Sequence, residues 1–223
     1  MLHGCCHNPS GVDLEHSDWE AIVNLALKNQ FVPFVDLAYL GLGDGIDEDA
    51  FGLRLLAERC PEVIVASSFS KNFGLYRERT GALQVLNSSS SEKAITQSQL
   101  GATVRGMYSM PPAHGAAIVE TILSDSSLES SWRNELKEMR DRINTLRNLV
   151  SQRLSDQTNL DFSFIKNQKG MFSFLGIEKE KIKRLKEQFS IYIVDSSRIN
   201  IAGLSSNNMD YFVNSIADVI KHN

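Results

Sequence analysis

Stretches of helical and of strand period succeed one another along the chain. His16-Ser17-Asp18 offers a helix start, and Trp19, Ile22, Val23, Leu25 and Ala26 then repeat at helical spacing to about Gln30. Phe31-Val32-Pro33-Phe34-Val35 is a continuous apolar run, the mark of a buried strand. It ends in Asp36-Leu37-Ala38-Tyr39 and a glycine-rich turn, Gly41-Leu42-Gly43-Asp44-Gly45. A helix from about Asp47 to Cys60 leads to a second buried strand at Val63-Ile64-Val65-Ala66, and another strand covers Gly81 to Leu86. Helices follow from about Glu92 to Arg105 and from His114 to Leu123, separated by Tyr108-Ser109-Met110-Pro111-Pro112. Leu128 to Leu154 carries Trp132, Leu136, Met139, Ile143, Leu146, Val150 and Leu154 at three-to-four spacing, a helix long enough to form a spine between two domains. The remainder predicts strands near Met171–Leu175, Ile191–Val194 and Arg198–Ile201 and helices near Glu178–Phe189 and Asn208–Lys221, a small α+β domain.

Strand and helix in alternation imply right-handed crossovers and a mostly parallel α/β sheet covered on both faces, with ligands at the carboxyl ends of the strands. Three successive strands are expected to end at Asn8, at Asp36 with Tyr39, and at Ser68 with Lys71, so their polar groups should meet on one edge. Lys71 sits among hydroxyls in Ser67-Ser68-Phe69-Ser70-Lys71-Asn72-Phe73-Gly74-Leu75-Tyr76, with a fixed cation at Arg79. A lysine amine in a desolvated pocket can attack a carbonyl carbon and form a Schiff base. Plainer accounts exist for each residue: a solvated loop lysine, Asp36 as a cap, Asn8 as a turn residue before Pro9, and Tyr39 as packing. The glycine cluster lacks the GK[ST] ending of a phosphate loop and reads as a turn.

Composition narrows the field. The 223 residues carry a net charge of -4 and no run of lysine or arginine, which argues against nucleic acid or an anionic membrane as partner. No apolar stretch approaches the length of a membrane span. The three cysteines, Cys5, Cys6 and Cys60, have no CxxC spacing, so neither a disulfide framework nor a zinc site is suggested, and a reducing, cytoplasmic setting fits best.

Taken in order, several motifs resemble the aspartate and aromatic amino acid aminotransferases, pyridoxal 5'-phosphate enzymes of fold type I. The most specific is Ser68-Phe69-Ser70-Lys71-Asn72-Phe73-Gly74-Leu75-Tyr76 with Arg79; the others are His7-Asn8-Pro9-Ser10-Gly11, Asp36-Leu37-Ala38-Tyr39, Tyr108-Ser109 with Pro111-Pro112, Gly170-Met171-Phe172-Ser173-Phe174 and Arg198-Ile199-Asn200-Ile201-Ala202-Gly203. The resemblance implies that Lys71 holds the cofactor covalently and shuttles a proton, that Asp36 faces the pyridine nitrogen, and that Asn8 and Tyr39 bond the phenolic oxygen. Ser68 and Arg79 would grip the phosphate, and Arg198 would clamp the substrate α-carboxylate. Arg105 would reach across a homodimer interface to the distal carboxylate of a dicarboxylic substrate, and Phe172 would line the pocket.

The implied activity is amino transfer between aspartate, glutamate or an aromatic amino acid and a 2-oxo acid. The implied fold is an incomplete fold type I transferase, with residues 1–137 as part of the large cofactor-binding domain and 138–223 as the small carboxyl-terminal domain. Leu40, Arg77 and Met110 stand where the family commonly has glutamine, asparagine and asparagine. The amino-terminal portion of the family's chain, with much of its phosphate grip, has no counterpart. A second expectation follows from that: a non-catalytic fragment, or a subunit that needs another polypeptide to complete its site.

Overall fold

The structure, a computed structural model, describes residues 1–222. It divides into two compact units, Met1–Cys5 with Leu14–Lys137, and Cys6–Asp13 with the chain from Glu138 onward. A single cut after residue 137 therefore misses one segment, the turn that carries Asn8.

In the first unit a four-stranded sheet has the order β1 (Leu2–His3), β2 (Phe34–Leu37), β3 (Val63–Ser68), β4 (Gly81–Leu86). The first three strands are parallel and β4 is antiparallel to β3. Helix α1 (His16–Asn29) opens on a capping box in which Glu15 and Asp18 satisfy each other's backbone amides, and it ends at Gln30 in the left-handed conformation. Its stripe of Trp19, Val23 and Ala26 meets Leu56 of α3 (Phe51–Arg59) and the sheet residues Val35, Leu37, Val63 and Val65. Full burial of each aliphatic side chain there contributes on the order of 2 kcal/mol. A one-turn helix, α2 (Ile46–Asp49), precedes α3.

Strand β2 begins three positions later than the apolar run does. Pro33 has no N–H to give a ladder, only a carbonyl that accepts from the Ile64 amide at 2.9 Å, and Phe31 and Val32 before it are exposed. The expectation of a sheet covered on both faces also fails at β4. Leu83 is 54% exposed, helix α4 (Ser90–Met107) has no buried residue, and helix α5 (His114–Ser124) buries only Gly115 and Val119. Among the described residues no strand pairs with the outer edge of β4, which leaves its backbone groups open to a further strand.

Helix α6 (Ser126–Thr158) supplies Leu136 to the first unit and Ile143, Val150 and Leu154 to the core of the second. That second core is closed by α7 (Lys179–Phe189), with Ile182 and Leu185, and by α8 (Met209–Lys221), with Met209, Phe212, Val213, Ile216 and Val219. A short antiparallel pair, β5 (Phe172–Phe174) and β6 (Arg198–Asn200), lies beside it. Ile191–Val194 is not a strand: Ile191 and Ile193 pack on the core while Tyr192 and Val194 are exposed, so the period-2 pattern is real, yet it meets no ladder partner. A 3₁₀ turn at Ser163–Asn167 has no sequence expectation behind it. No helix among the described residues is long and apolar enough to cross a membrane.

Candidate active site

Because β2 and β3 run parallel, with Asp36 opposite Ala66 and Leu37 opposite Ser67, their carboxyl ends lie together. Side chains alternate across the sheet. Val35 and Leu37 point into the core, and Asp36 lies on the other, half-buried face in a row with His3 and the small Ala66. Among the described residues the Asp36 carboxylate has no hydrogen bond and no ion pair. Tyr39, two residues past the strand, is buried.

Lys71 lies in the connection from β3 to β4, and this connection is pinned along its length. Its two arms are joined where the Phe69 amide bonds the Thr80 carbonyl at 3.1 Å, which brings Ser68, Lys71 and Arg79 to the same end of the sheet. Ser68 Oγ accepts from the Ser70 amide and bonds Ser70 Oγ. Asn72 donates from Nδ2 to the Leu40 carbonyl at 3.3 Å and accepts at its own carbonyl from Trp132 Nε1 at 2.8 Å. Phe73 stacks on the Trp132 ring with centroids 4.4 Å apart. Ser70 and Asn72 on either side are buried, and Lys71 between them is half-buried. Its Nζ lies 4.7 Å from the centroid of the Tyr39 ring, within reach of a cation–π contact, and makes no hydrogen bond or ion pair among the described residues. Arg79 is exposed, in the left-handed backbone region at φ 52°, with Nη1 donating to the Tyr76 carbonyl.

The glycine-rich turn is no anion site for a ligand, because the protein fills it. The backbone N–H groups of Gly41, Gly43, Asp44 and Gly45 donate to the carboxylate of Asp49 at 2.8, 3.0, 2.8 and 3.5 Å. A side chain at Gly43 would stand 2.5 Å from Asp49 Oδ1, so only glycine allows this approach. Burial pushes the Asp49 carboxyl above the usual carboxylate range, while the four amides pull the other way. The loop that follows Tyr39 and Leu40 is thus shaped around one side chain. Asp49→Ala is expected to destabilise the first unit by roughly 3 kcal/mol, since it strands several buried donors, and Asp49→Asn by about half as much. Urea unfolding followed by tryptophan fluorescence measures both; an Asp49→Ala curve that overlays the wild type would contradict this account.

Arg105 stands in the last turn of α4, exposed, with Nη1 donating to Ser109 Oγ at 2.8 Å. Ser109 has φ 68°.

Asn8 belongs to the second unit. Strand β1 stops at His3, and the segment from Cys6 to Asp13 folds with the second unit: Asp13 accepts the Cys6 and His7 amides, and the Lys169 amide bonds the Gly11 carbonyl at 2.7 Å. There Asn8 Oδ1 accepts from Arg198 Nη1 at 2.9 Å, and the Arg198 guanidinium lies 4.7 Å from the centroid of the Phe172 ring. Phe172 and Arg198 are diagonal neighbours across the β5–β6 pair, where Phe174 stands directly opposite Arg198.

Of the predicted residues, Asp36, Tyr39, Ser68, Lys71, Arg79 and Arg105 belong to the first unit and Asn8, Phe172 and Arg198 to the second. Sequence reasoning missed Asn72, Trp132 and Asp49. A readable signal existed only for Trp132, whose ring falls on the apolar stripe of α6.

The chain matches the family model described as aminotransferase class I and II over residues 1–216. It is 47% identical over 221 residues to an aspartate aminotransferase of Haemophilus influenzae, an alignment covering 99% of this chain and 56% of that protein. It is 45% identical over 220 residues to an aromatic-amino-acid aminotransferase of Paracoccus denitrificans, covering 98% and 56%. Among solved structures it superposes on an aromatic-amino-acid aminotransferase of Burkholderia pseudomallei, covalently bound to pyridoxal phosphate, with a TM-score of 0.96 and 46% identity, over 98% of this chain and 55% of that one. The chain spans about half the length of these relatives. With the family model matched across nearly all of its length, and with its fold that of the corresponding part of a solved member, the chain belongs to the class I and II aminotransferases.

Proposed function

We propose that this chain carries the reactive lysine of a pyridoxal-phosphate-dependent aminotransferase that moves an amino group between aspartate, glutamate or an aromatic amino acid and a 2-oxo acid. The observation that supports this best is the pair Lys71 and Asp36: two half-buried charged groups at one sheet end, Asp36 on β2 and Lys71 just past the end of its parallel neighbour β3, neither with a hydrogen-bond or ion-pair partner among the described residues. Such groups are normally satisfied within a protein, and these two are the donor and acceptor that a pyridine aldehyde needs. Directly opposite Asp36 on β3 stands the small Ala66.

When bound, the cofactor supplies an electron sink for the bond that breaks at the substrate α-carbon. Lys71 would hold it through its amine and, once displaced by the substrate amine, carry the proton to and from that carbon. Asp36 would hold a proton on the ring nitrogen, Tyr39 and Asn8 would bond the phenolic oxygen, and Ser68 and Arg79 would bond the phosphate. Arg198 would pair with the substrate α-carboxylate beside Phe172, and Arg105 with a distal carboxylate from across a homodimer interface. A reducing, cytoplasmic setting belongs to the same reading and is supported by Cys5, Cys6 and Cys60, all buried and none joined in a disulfide.

The test is transfer of isotope-labelled nitrogen from aspartate to 2-oxoglutarate. The assay is run on this chain with cofactor, and on this chain mixed with a polypeptide supplying the other half of a relative, so that a silent site is told from an incomplete one. Labelled glutamate in either arm is the predicted result; none in both, with the cofactor present, would overturn the reading in favour of a non-catalytic chain.

A further inference from the structure

Helix α6 carries an arginine where a hydrophobic residue belongs. Arg147 follows Ile143 by four positions and precedes Val150 by three, on the stripe that forms the second unit's core, and it is 1% exposed. Taking a guanidinium out of water costs several kcal/mol, and an aliphatic side chain of like size would avoid that cost. Burial pulls the Arg147 guanidinium down to about 10, against the opposing influence of Cys6 and Asp13. It has no ion-pair partner in direct contact, and its Nε lacks a hydrogen bond among the described residues. A group this expensive to bury needs a use.

Its four hydrogen bonds indicate one. Nη1 donates to the Ile165 carbonyl at 3.2 Å and to Ser173 Oγ; Nη2 donates to the carbonyls of Gly170 and, at 3.2 Å, Phe172. Three of these acceptors lie within Gly170–Ser173, at the start of β5. That strand and its partner β6 are three residues each, too short to fix their own geometry. The approach to this segment is also tight: Gly170, at φ 72°, would place a side chain 2.5 Å from Cys6 Cβ. The planar guanidinium fork is the one side chain that can grip several carbonyls of one loop in a set orientation.

We infer that Arg147 is a positioning residue for Arg198: by holding the Gly170–Ser173 backbone it fixes the Phe172 ring, against which the Arg198 guanidinium lies while it donates to Asn8. The role in substrate binding rests on the reading of Arg198 given above; the positioning itself does not. An arginine that clamps a carboxylate must present its fork in one plane, and a stacked ring with a fixed amide acceptor restricts it to that plane before substrate arrives.

Nuclear magnetic resonance of the full chain, with the Arg198 guanidinium signals assigned through an Arg198→Lys control, reads the positioning without any cofactor or turnover. In the wild type the signal is expected to be displaced by the Phe172 ring current, and Phe172→Leu should abolish that displacement. Arg147→Lys keeps the charge and loses the fork; it should lose most of the displacement while the methyl signals of Val213 and Ile216 stay in place. Should Arg147→Lys fail to fold, Ser173→Ala removes one acceptor of the fork and should give a smaller change in the same direction. An Arg198 signal unmoved in the folded Arg147→Lys variant, or in Ser173→Ala where that replaces it, overturns the inference.

In an active assembly, Arg147→Lys should raise KM for the amino acid about tenfold and leave kcat within about twofold. A fall in kcat with KM unchanged would overturn the substrate-positioning role. No transfer by the wild type, with its Arg198 signal displaced, would instead sink the aminotransferase reading alone.

Discussion

Lys71→Ala is expected to lower amino transfer at least about 10⁴-fold and to leave the first unit folded. Two separate features support the two halves of that expectation. The loss follows from the proposed role, in which the amine would both hold the cofactor and move the proton, and no other lysine or histidine lies in the connection between β3 and β4 to take over. The retained fold follows because the connection is pinned by the backbone and by its neighbours: the Phe69–Thr80 bond, the Ser68–Ser70 contacts, and Asn72 with Phe73 against Trp132. Lys71 itself contributes only the contact of its Nζ with the Tyr39 ring, an interaction of about 1 kcal/mol. Nitrogen transfer and thermal unfolding, measured on the same preparation, check both. A variant that loses activity and melts far below the wild type would show the lysine to be structural.

Asp36→Ala is expected to cost on the order of 10³-fold in kcat, because a ring nitrogen without a carboxylate partner holds its proton poorly and withdraws electrons less. The fold is again expected to survive. The carboxylate lies on the half-buried face and has no partner to strand, while Val35 and Leu37 on the opposite face carry the packing. Asp36→Glu separates charge from shape: it keeps the carboxylate but lengthens the reach, and should recover part of the activity that Asp36→Asn does not. Equal activity in Asp36→Ala and the wild type, with cofactor saturating, would remove Asp36 from the site.

These expectations were open to inspection in the sequence to different degrees, for physical reasons. Lys71 stands out because its neighbours are informative at short range: a buried β-branched run, then hydroxyls, then a fixed cation. Helices α1, α4, α5, α7 and α8 stand out because periodicity is a local property. What the sequence hides is non-local. The turn carrying Asn8 belongs to the second unit through the Gly11–Lys169 backbone bond, which no residue type advertises. Asp49, acidic and in the first turn of a predicted helix, reads as an ordinary complement to the helix dipole, whereas its carboxylate is the centre about which the preceding loop is wound. Ile191–Val194 shows the converse, an alternation that predicts a strand and finds no partner chain segment to pair with. Arg147 lies between these cases. Its position on the stripe of α6 marks it as buried, and only the structure tells what it holds.

The central claim is that Lys71 carries the cofactor, and one experiment addresses it without requiring turnover. The chain is incubated with pyridoxal 5'-phosphate, both alone and with a polypeptide supplying the other half of a relative, reduced with borohydride, digested, and mapped by mass spectrometry. The predicted result is a pyridoxyl adduct on the peptide containing Ser70-Lys71-Asn72, lost in Lys71→Ala; label spread over surface lysines, or label at full yield in Lys71→Ala, would contradict the account.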